Sequence, residues 1–308
     1  MLQSNRRNFI RNSAGALGLF WLNPSLDFFK KDPLLSFSTL GCPKWDFNTV
    51  VEVAKKNGYQ GIEVRGVQGE LDLSKCSVFS TKENIAATKR LMKDNKLKFS
   101  DLGSSAAMHL PEGAERQKNL DDAKKFIDLA AEIDCPNIRV FPNNLPKDQD
   151  REATLALISK GLLTLGDYAK GTHVNILLES HGELIYVADL KKVMEMAAHP
   201  NTGLVWDIHN MWSVTKEAPA AVYPVLKKYI KHTHIKDATI SADGKIHYVL
   251  MGKGESPIFD GVDILYKDGY SGYYSFEWEK LWHPEIEEPE VAIVDFPKTM
   301  REHFSKIA

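Results

Sequence analysis

The segment Asn175-Ile176-Leu177-Leu178-Glu179-Ser180-His181-Gly182 is apolar through Ile176, Leu177 and Leu178 and then turns polar. A continuous apolar run this short suits a strand buried on both faces, as in a parallel sheet. The same plan recurs in Leu34-Leu35-Ser36-Phe37-Ser38, Gly61-Ile62-Glu63-Val64-Arg65 and Tyr273-Tyr274-Ser275-Phe276-Glu277. Working outward from these, the sequence predicts strands over 34–39, 60–65, 97–102, 137–141, 174–179, 203–207, 230–235 and 272–277. The segments between them read as amphipathic helices, over 46–57, 81–95, 114–133, 150–170, 187–198, 217–228, 259–268 and 288–305. The first stops at Asn57-Gly58, and the second starts after Ser80 with Glu83 three residues on, a capping-box pattern.

Alternating strands and helices imply parallel strands joined by right-handed crossovers. Eight such units in about 275 residues match a closed α/β barrel, a (β/α)8 TIM barrel forming a single domain over 31–308. An open doubly wound sheet is the alternative, and it would carry a glycine-rich phosphate loop after its first strand. Gly41-Cys42-Pro43-Lys44 is no such loop, and Gly252-Lys253-Gly254 comes too late in the chain. Residues 237–257 read as one long connection of the kind that often carries binding function.

Composition narrows the class. With 308 residues, 43% hydrophobic and 26% charged, the chain buries a sizeable core. A formal net charge of −2 and the lack of a basic stripe argue against a nucleic-acid partner. Cys42, Cys76 and Cys135 match no zinc or redox spacing and are expected to be unpaired. Residues 1–30 stand apart. Arg6-Arg7 precedes a short, mostly uncharged stretch from Ser13 to Leu22, the pattern of a twin-arginine-type export signal. The expectation is an exported, periplasmic protein. With no clean cleavage site before Asp27, an uncleaved signal would serve as a membrane tether.

In a closed parallel barrel the C-terminal strand ends converge on one face, which holds the active site. Four consecutive strands bring Glu179, Asp207, His234 and Glu277 to that rim. Three carboxylates crowded together repel one another without a cation. This thiolate-free set suits one divalent ion (Mn²⁺, Mg²⁺ or Co²⁺) in a roughly octahedral site and is less suited to zinc.

Gly61-Ile62-Glu63-Val64-Arg65, Leu178-Glu179-Ser180-His181-Gly182, Trp206-Asp207-Ile208-His209-Asn210, His234-Ile235-Lys236-Asp237, Gly252-Lys253-Gly254 and Ser275-Phe276-Glu277-Trp278-Glu279 together resemble the sugar phosphate isomerase/epimerase family, the barrels related to xylose isomerase and ketose 3-epimerases. The resemblance implies that Glu179, Asp207, His234 and Glu277 bind one metal and that Glu179 and Glu277 are the catalytic acid–base pair. It implies isomerisation or epimerisation of a sugar or sugar phosphate by proton transfer through a metal-bound cis-enediolate. His181, Lys236, Arg139, His209, Glu63 and His109 are the candidate substrate-binding residues. For Glu63 the competing expectation is an ion pair with Arg65. Trp45, Trp206 and Trp278 are candidates for a sugar-stacking wall. Many members have a histidine three residues after the sixth-strand aspartate, where this chain has Asn210. The alternatives are a metal-dependent dehydratase or lyase on a sugar-derived substrate, a phosphodiesterase or endonuclease of the same superfamily, and an inactive exported sugar-binding protein. Barrels of this type often pair, which leaves a homodimer open.

Overall fold

A computed structural model describes residues 32–308; the export-signal expectation falls on residues 1–30, outside the described residues. Eight parallel strands close into a barrel in the order β1-β10-β7-β6-β5-β4-β3-β2. They are β1 (Leu34–Ser38), β2 (Gly61–Val64), β3 (Lys98–Ala107), β4 (Asn137–Phe141), β5 (Asn175–Glu179), β6 (Thr202–Asp207), β7 (Ile230–Ile235) and β10 (Tyr273–Phe276). Every predicted strand is present. β3 runs five residues past its expected end, through Gly103, where an added Cβ would come within 2.9 Å of side-chain atoms of Arg65 and Arg139. The bare backbone leaves room for two arginines inside the barrel.

The helices wrap the outside: α1 (Phe47–Lys56), α2 (Lys82–Asp94), α3 (Ala114–Glu132), α4 (Arg151–Tyr168), α5 (Val187–Met196), α6 (Ile208–Thr215), α7 (Pro219–Leu226), α8 (Ile258–Lys267) and α9 (Pro289–Ile307). Side-chain caps start several of them. Asp46 accepts from Thr49 N at 2.8 Å and Asp150 from Ala153 N at 2.8 Å. The cap of α2 is Thr81, which accepts from Asn84 N, and not Ser80 as the spacing to Glu83 suggested. Such caps contribute about 1 kcal/mol each by satisfying otherwise bare N–H groups.

Two features depart from the expected plan. Helix α6 follows β6 directly, without a loop. The connection expected over 237–257 instead contains an antiparallel hairpin, β8 (Asp237–Ile240) with β9 (Ile246–Val249). Asp237 ties its base. Its Oδ1 accepts from Ala238 N, and its Oδ2 accepts from Gly252 N and Gly254 N, each at 2.9 Å. The late Gly-Lys-Gly is therefore a wrap around a carboxylate: a Cβ on Gly254 would lie 2.1 Å from Asp237 Oδ1. Cys42, Cys76 and Cys135 are free and buried, as expected.

Candidate metal centre

Glu179 ends β5, Asp207 ends β6, His234 lies in β7 and Glu277 follows β10. The structure brings them together: one ligand atom from each lies within 4.8 Å of all the others. His234 Nδ1 is 3.2 Å from Glu277 Oε1, 3.4 Å from Glu179 Oε1 and 3.9 Å from Asp207 Oδ2. All four side chains are buried.

Each carboxylate divides its two oxygens between the frame and the centre. Asp207 is the N-cap of α6, where Oδ1 accepts from Asn210 N at 2.7 Å, so Oδ2 is turned inward. Ser180 stitches this corner by accepting from Asp207 N at 2.9 Å and donating to Asp207 O at 3.3 Å. Glu179 sets Oε2 against Arg139 Nε at 3.1 Å, and Glu277 sets Oε2 against Lys236 Nζ at 2.6 Å. In both, Oε1 is left facing the imidazole.

These residues fit a divalent cation. Asp207 Oδ2 and His234 Nδ1, both turned to the centre, are buried and make no hydrogen bond, meeting charged neighbours only as ion pairs. Adjacent donors on an octahedral ion with bonds of about 2.1 Å stand about 3 Å apart; the two glutamate oxygens, 3.2 and 3.4 Å from Nδ1, are close to this, and Asp207 Oδ2 lies farther off at 3.9 Å. The electrostatics agree. Burial opposes charge on His234, yet Glu277, Glu63 and Glu179 hold its imidazole well above the ordinary range. Burial pushes Asp207 up to about 7 despite the Lys236 ammonium. Against the same desolvation, His234 and Lys236 keep Glu277 well below the usual carboxylate range. The pocket gathers more carboxylates than its own cations neutralise, the condition that favours a bound metal.

The other expected residues fall into three groups. Arg139 and Lys236 lie against the centre. Arg139 is buried, donates to Ser104 O at 2.9 Å and lies 3.8 Å over the Phe141 ring. Lys236 is also buried, and its ammonium meets Asp207 Oδ2, Glu277 Oε2 and Glu279 Oε1 at 2.9, 2.6 and 2.6 Å. Glu63 is beneath the centre, fully buried; its Oε2 accepts from Ser275 Oγ at 3.0 Å and lies 3.0 Å from His232 Nε2 and 3.1 Å from His234 Nε2. The expected Glu63–Arg65 pair does not form. Arg65 instead donates to Gly103 O and Ser105 Oγ, while Glu63 is taken up by His232, His234 and Ser275.

His181, His209 and His109 form the third group. Among the described residues no hydrogen bond or ion pair joins them to the four-residue cluster. His181 is half-buried with its ring 4.6 Å from that of Phe141. His109, also half-buried, follows β3. His209 is fully buried, with Nδ1 2.8 Å from Ser256 Oγ and its ring edge-on to Tyr248. Burial, with the charges of Lys236 and Lys216, pulls its pKa down to about 3, so it stays neutral.

Trp206 and Trp278 form no sugar-stacking wall. Both are buried in the outer core, Trp206 against Tyr223 and Trp278 against Phe276. Trp45 spends its indole N–H on Glu290 Oε1 at 3.1 Å. Three neighbours of the site had no role assigned from sequence. Glu279 is the third partner of Lys236, His232 the second histidine on Glu63, and Tyr248 lies with its ring 5.7 Å from Lys236 Nζ. His232 was legible, since alternate residues of one strand share a face and His234 is two positions on.

The fold and the cluster thus define a closed α/β barrel with a buried acid–imidazole centre at the C-terminal ends of its strands. Residues 51–300 match the xylose isomerase-like TIM barrel family, and the chain belongs to it. Among solved structures it is similar to the IolI protein with a bound zinc atom (17% identity, TM-score 0.75, covering 89% of this chain and 99% of that one). It is also similar to the Escherichia coli 3-keto-D-glucoside 4-epimerase YcjR (14%, 0.69, 89% and 99%) and to the probable 3-DHS dehydratase AsbF of Bacillus anthracis (16%, 0.69, 88% and 98%). At these identities the likeness is one of fold. No curated protein sequence matches the chain.

Proposed function

We propose that this protein is a divalent-metal-dependent isomerase or epimerase of a sugar or sugar-derived substrate, with Glu179 and Glu277 as its acid–base pair. The observation that carries the reading is the matched bracing of the two glutamates. Arg139 holds Oε2 of one and Lys236 holds Oε2 of the other, while both Oε1 atoms flank the same imidazole nitrogen. In the barrel order β10-β7-β6-β5, the two stand on either side of the strands that supply His234 and Asp207.

Glu179, Asp207, His234 and Glu277 would hold the cation. Bound there, a divalent ion supplies Lewis acidity that polarises a carbonyl and acidifies the neighbouring C–H. The chain does the rest. One glutamate takes the proton from carbon, and the other returns a proton from the opposite side. His234, with Arg139 at Glu179 and Lys236 at Glu277, keeps both carboxylates ionised, and the two bracing cations aim them. Burial excludes water, which strengthens each of these interactions. Names among the structural neighbours support a sugar-like substrate, including a D-psicose 3-epimerase in the presence of D-fructose.

The test is a screen of free and phosphorylated sugars in heavy water with Mn²⁺, read by mass gain. Wild type is expected to incorporate solvent deuterium into one of them. Glu179→Gln and Glu277→Gln should each lose about 10²–10⁴-fold of that rate. Full exchange in either variant removes that residue from the pair. A product lighter by one water would replace isomerisation with dehydration, the chemistry named for the AsbF neighbour.

Residues 1–30 are proposed as a twin-arginine-type signal, on the strength of Arg6-Arg7 and the short weakly apolar stretch after it. Export of a reporter fused to residues 1–30, and its loss in an Arg6→Lys/Arg7→Lys variant, is the expected result.

A further inference from the structure

We propose that Glu63 is a positioning residue of the metal centre: from β2 it reaches across the barrel to fix the ring of His234, so that Nδ1, and not Nε2, is the nitrogen presented to a cation. The inference rests on the metal-centre reading and adds a residue from outside the four-strand ligand set.

The geometry is that of a lock. The two nitrogens of an imidazole flank Cε1 and point in different, fixed directions, so a partner that claims one decides where the other points. Glu63 Oε2 is 3.1 Å from His234 Nε2, while Nδ1 stands among Glu179, Asp207 and Glu277. A ring flipped about Cβ–Cγ would put Cδ2 where Nδ1 now faces the cluster and Cε1 where Glu63 now finds a donor, so the flip would lose both contacts. Glu63 is itself held. His232 from β7 and Ser275 from β10 converge on the same oxygen, each at 3.0 Å. These two strands also carry His234 and lead to Glu277, so any movement of Glu63 is resisted by the frame that supplies the ligands.

A fully buried carboxylate is costly unless it is paired. A purely structural role would be served more cheaply by an apolar side chain. A negative charge behind the ring also makes the opposite nitrogen a stronger ligand, the usual service of a carboxylate hydrogen-bonded to a metal-binding histidine. This accounts for the pair His232 and His234 at alternate positions of one strand. His234 faces the cation and His232 steadies the group that orients it.

The test uses the whole protein stripped of metal, titrated with Mn²⁺ alone and followed by electron paramagnetic resonance of the free ion. Glu63→Gln, which keeps the shape and removes the charge, should weaken Mn²⁺ binding about 10- to 100-fold. Circular dichroism in chelator should remain that of the wild type. Equal affinity in a folded Glu63→Gln protein overturns the proposal. If that variant does not fold, the wild type decides it by nitrogen-15 histidine NMR with Zn²⁺ bound. A proton on His234 Nε2 supports the lock, and a proton on Nδ1 overturns it. Failure of the wild type to bind Mn²⁺ would instead remove the centre itself, and Glu63's role with it.

Discussion

Lys236→Met isolates what holds the centre together before a metal arrives. The substitution keeps the length and most of the volume of the side chain and deletes only its charge. In the wild type that charge is buried and meets Asp207, Glu277 and Glu279 within 2.6–2.9 Å. Removing one member of a buried ion-paired group costs about 3–5 kcal/mol, because the remaining charges stay desolvated without a partner. For a domain of this size 1 kcal/mol shifts Tm by about 2 °C, so in chelator the variant should melt roughly 6–10 °C below the wild type. A divalent cation supplies positive charge to Asp207 and Glu277, two of the three orphaned carboxylates. Saturating Mn²⁺ should therefore raise the variant's Tm by more than it raises the wild type's. The assay is differential scanning calorimetry of both proteins, with chelator and with Mn²⁺. Melting within 1 °C of the wild type in chelator would show that the Lys236 contacts do not hold these carboxylates. Equal Mn²⁺ shifts would show that lysine and cation do not neutralise the same groups.

Two further outcomes follow from the packing. Gly254→Ala forces a Cβ to within 2.1 Å of Asp237 Oδ1 and 2.5 Å of Ala238 O, so the hairpin base must open and Tyr248 must leave Lys236; turnover of the sugar found in the deuterium screen should fall at least tenfold, with Tm lowered by only a few degrees. Tyr59 is buried, donates to Ile293 O at 2.6 Å, and is pushed by burial well above its ordinary pKa of 10. The folded state thus keeps a proton that the unfolded chain gives up, so its contribution is complete below pH 10 and is lost as pH rises above it. Tyr59→Phe should cost about 1 kcal/mol near neutrality and flatten the alkaline fall of Tm; an unchanged alkaline profile would contradict this.

The barrel was legible because each strand is buried on both faces, which writes it as an apolar run ending in polar residues at the rim. Glu179, Asp207, His234 and Glu277 followed from closure, which brings the strand ends to one rim, together with the ligand chemistry of those four residue types and the family resemblance. Strand parity would have settled the tryptophans. Asp207 faces inward, so Trp206 before it faces out, and Trp278 is related to Glu277 in the same way. Helix α6 was hidden because Ile208, Trp212, Val214 and Thr215 are weak helix formers and because its cap, Asp207, already had a reading as a ligand. The hairpin did leave a signal, Asp243-Gly244, between two runs too short to stand out. The partnership of Glu63 with His234 left none, because β2 and β7 are separated around the barrel by β1 and β10, and contact across an interior is not written in local spacing.

The most direct measurement is anomalous diffraction from crystals of the full protein grown with Mn²⁺, collected above and below the manganese edge. The account predicts one strong peak per chain, bonded to Glu179, Asp207, Glu277 and Nδ1 of His234, and its disappearance in Asp207→Asn crystals. A well-ordered barrel with no peak among these four side chains, or with its only peak elsewhere, would contradict it.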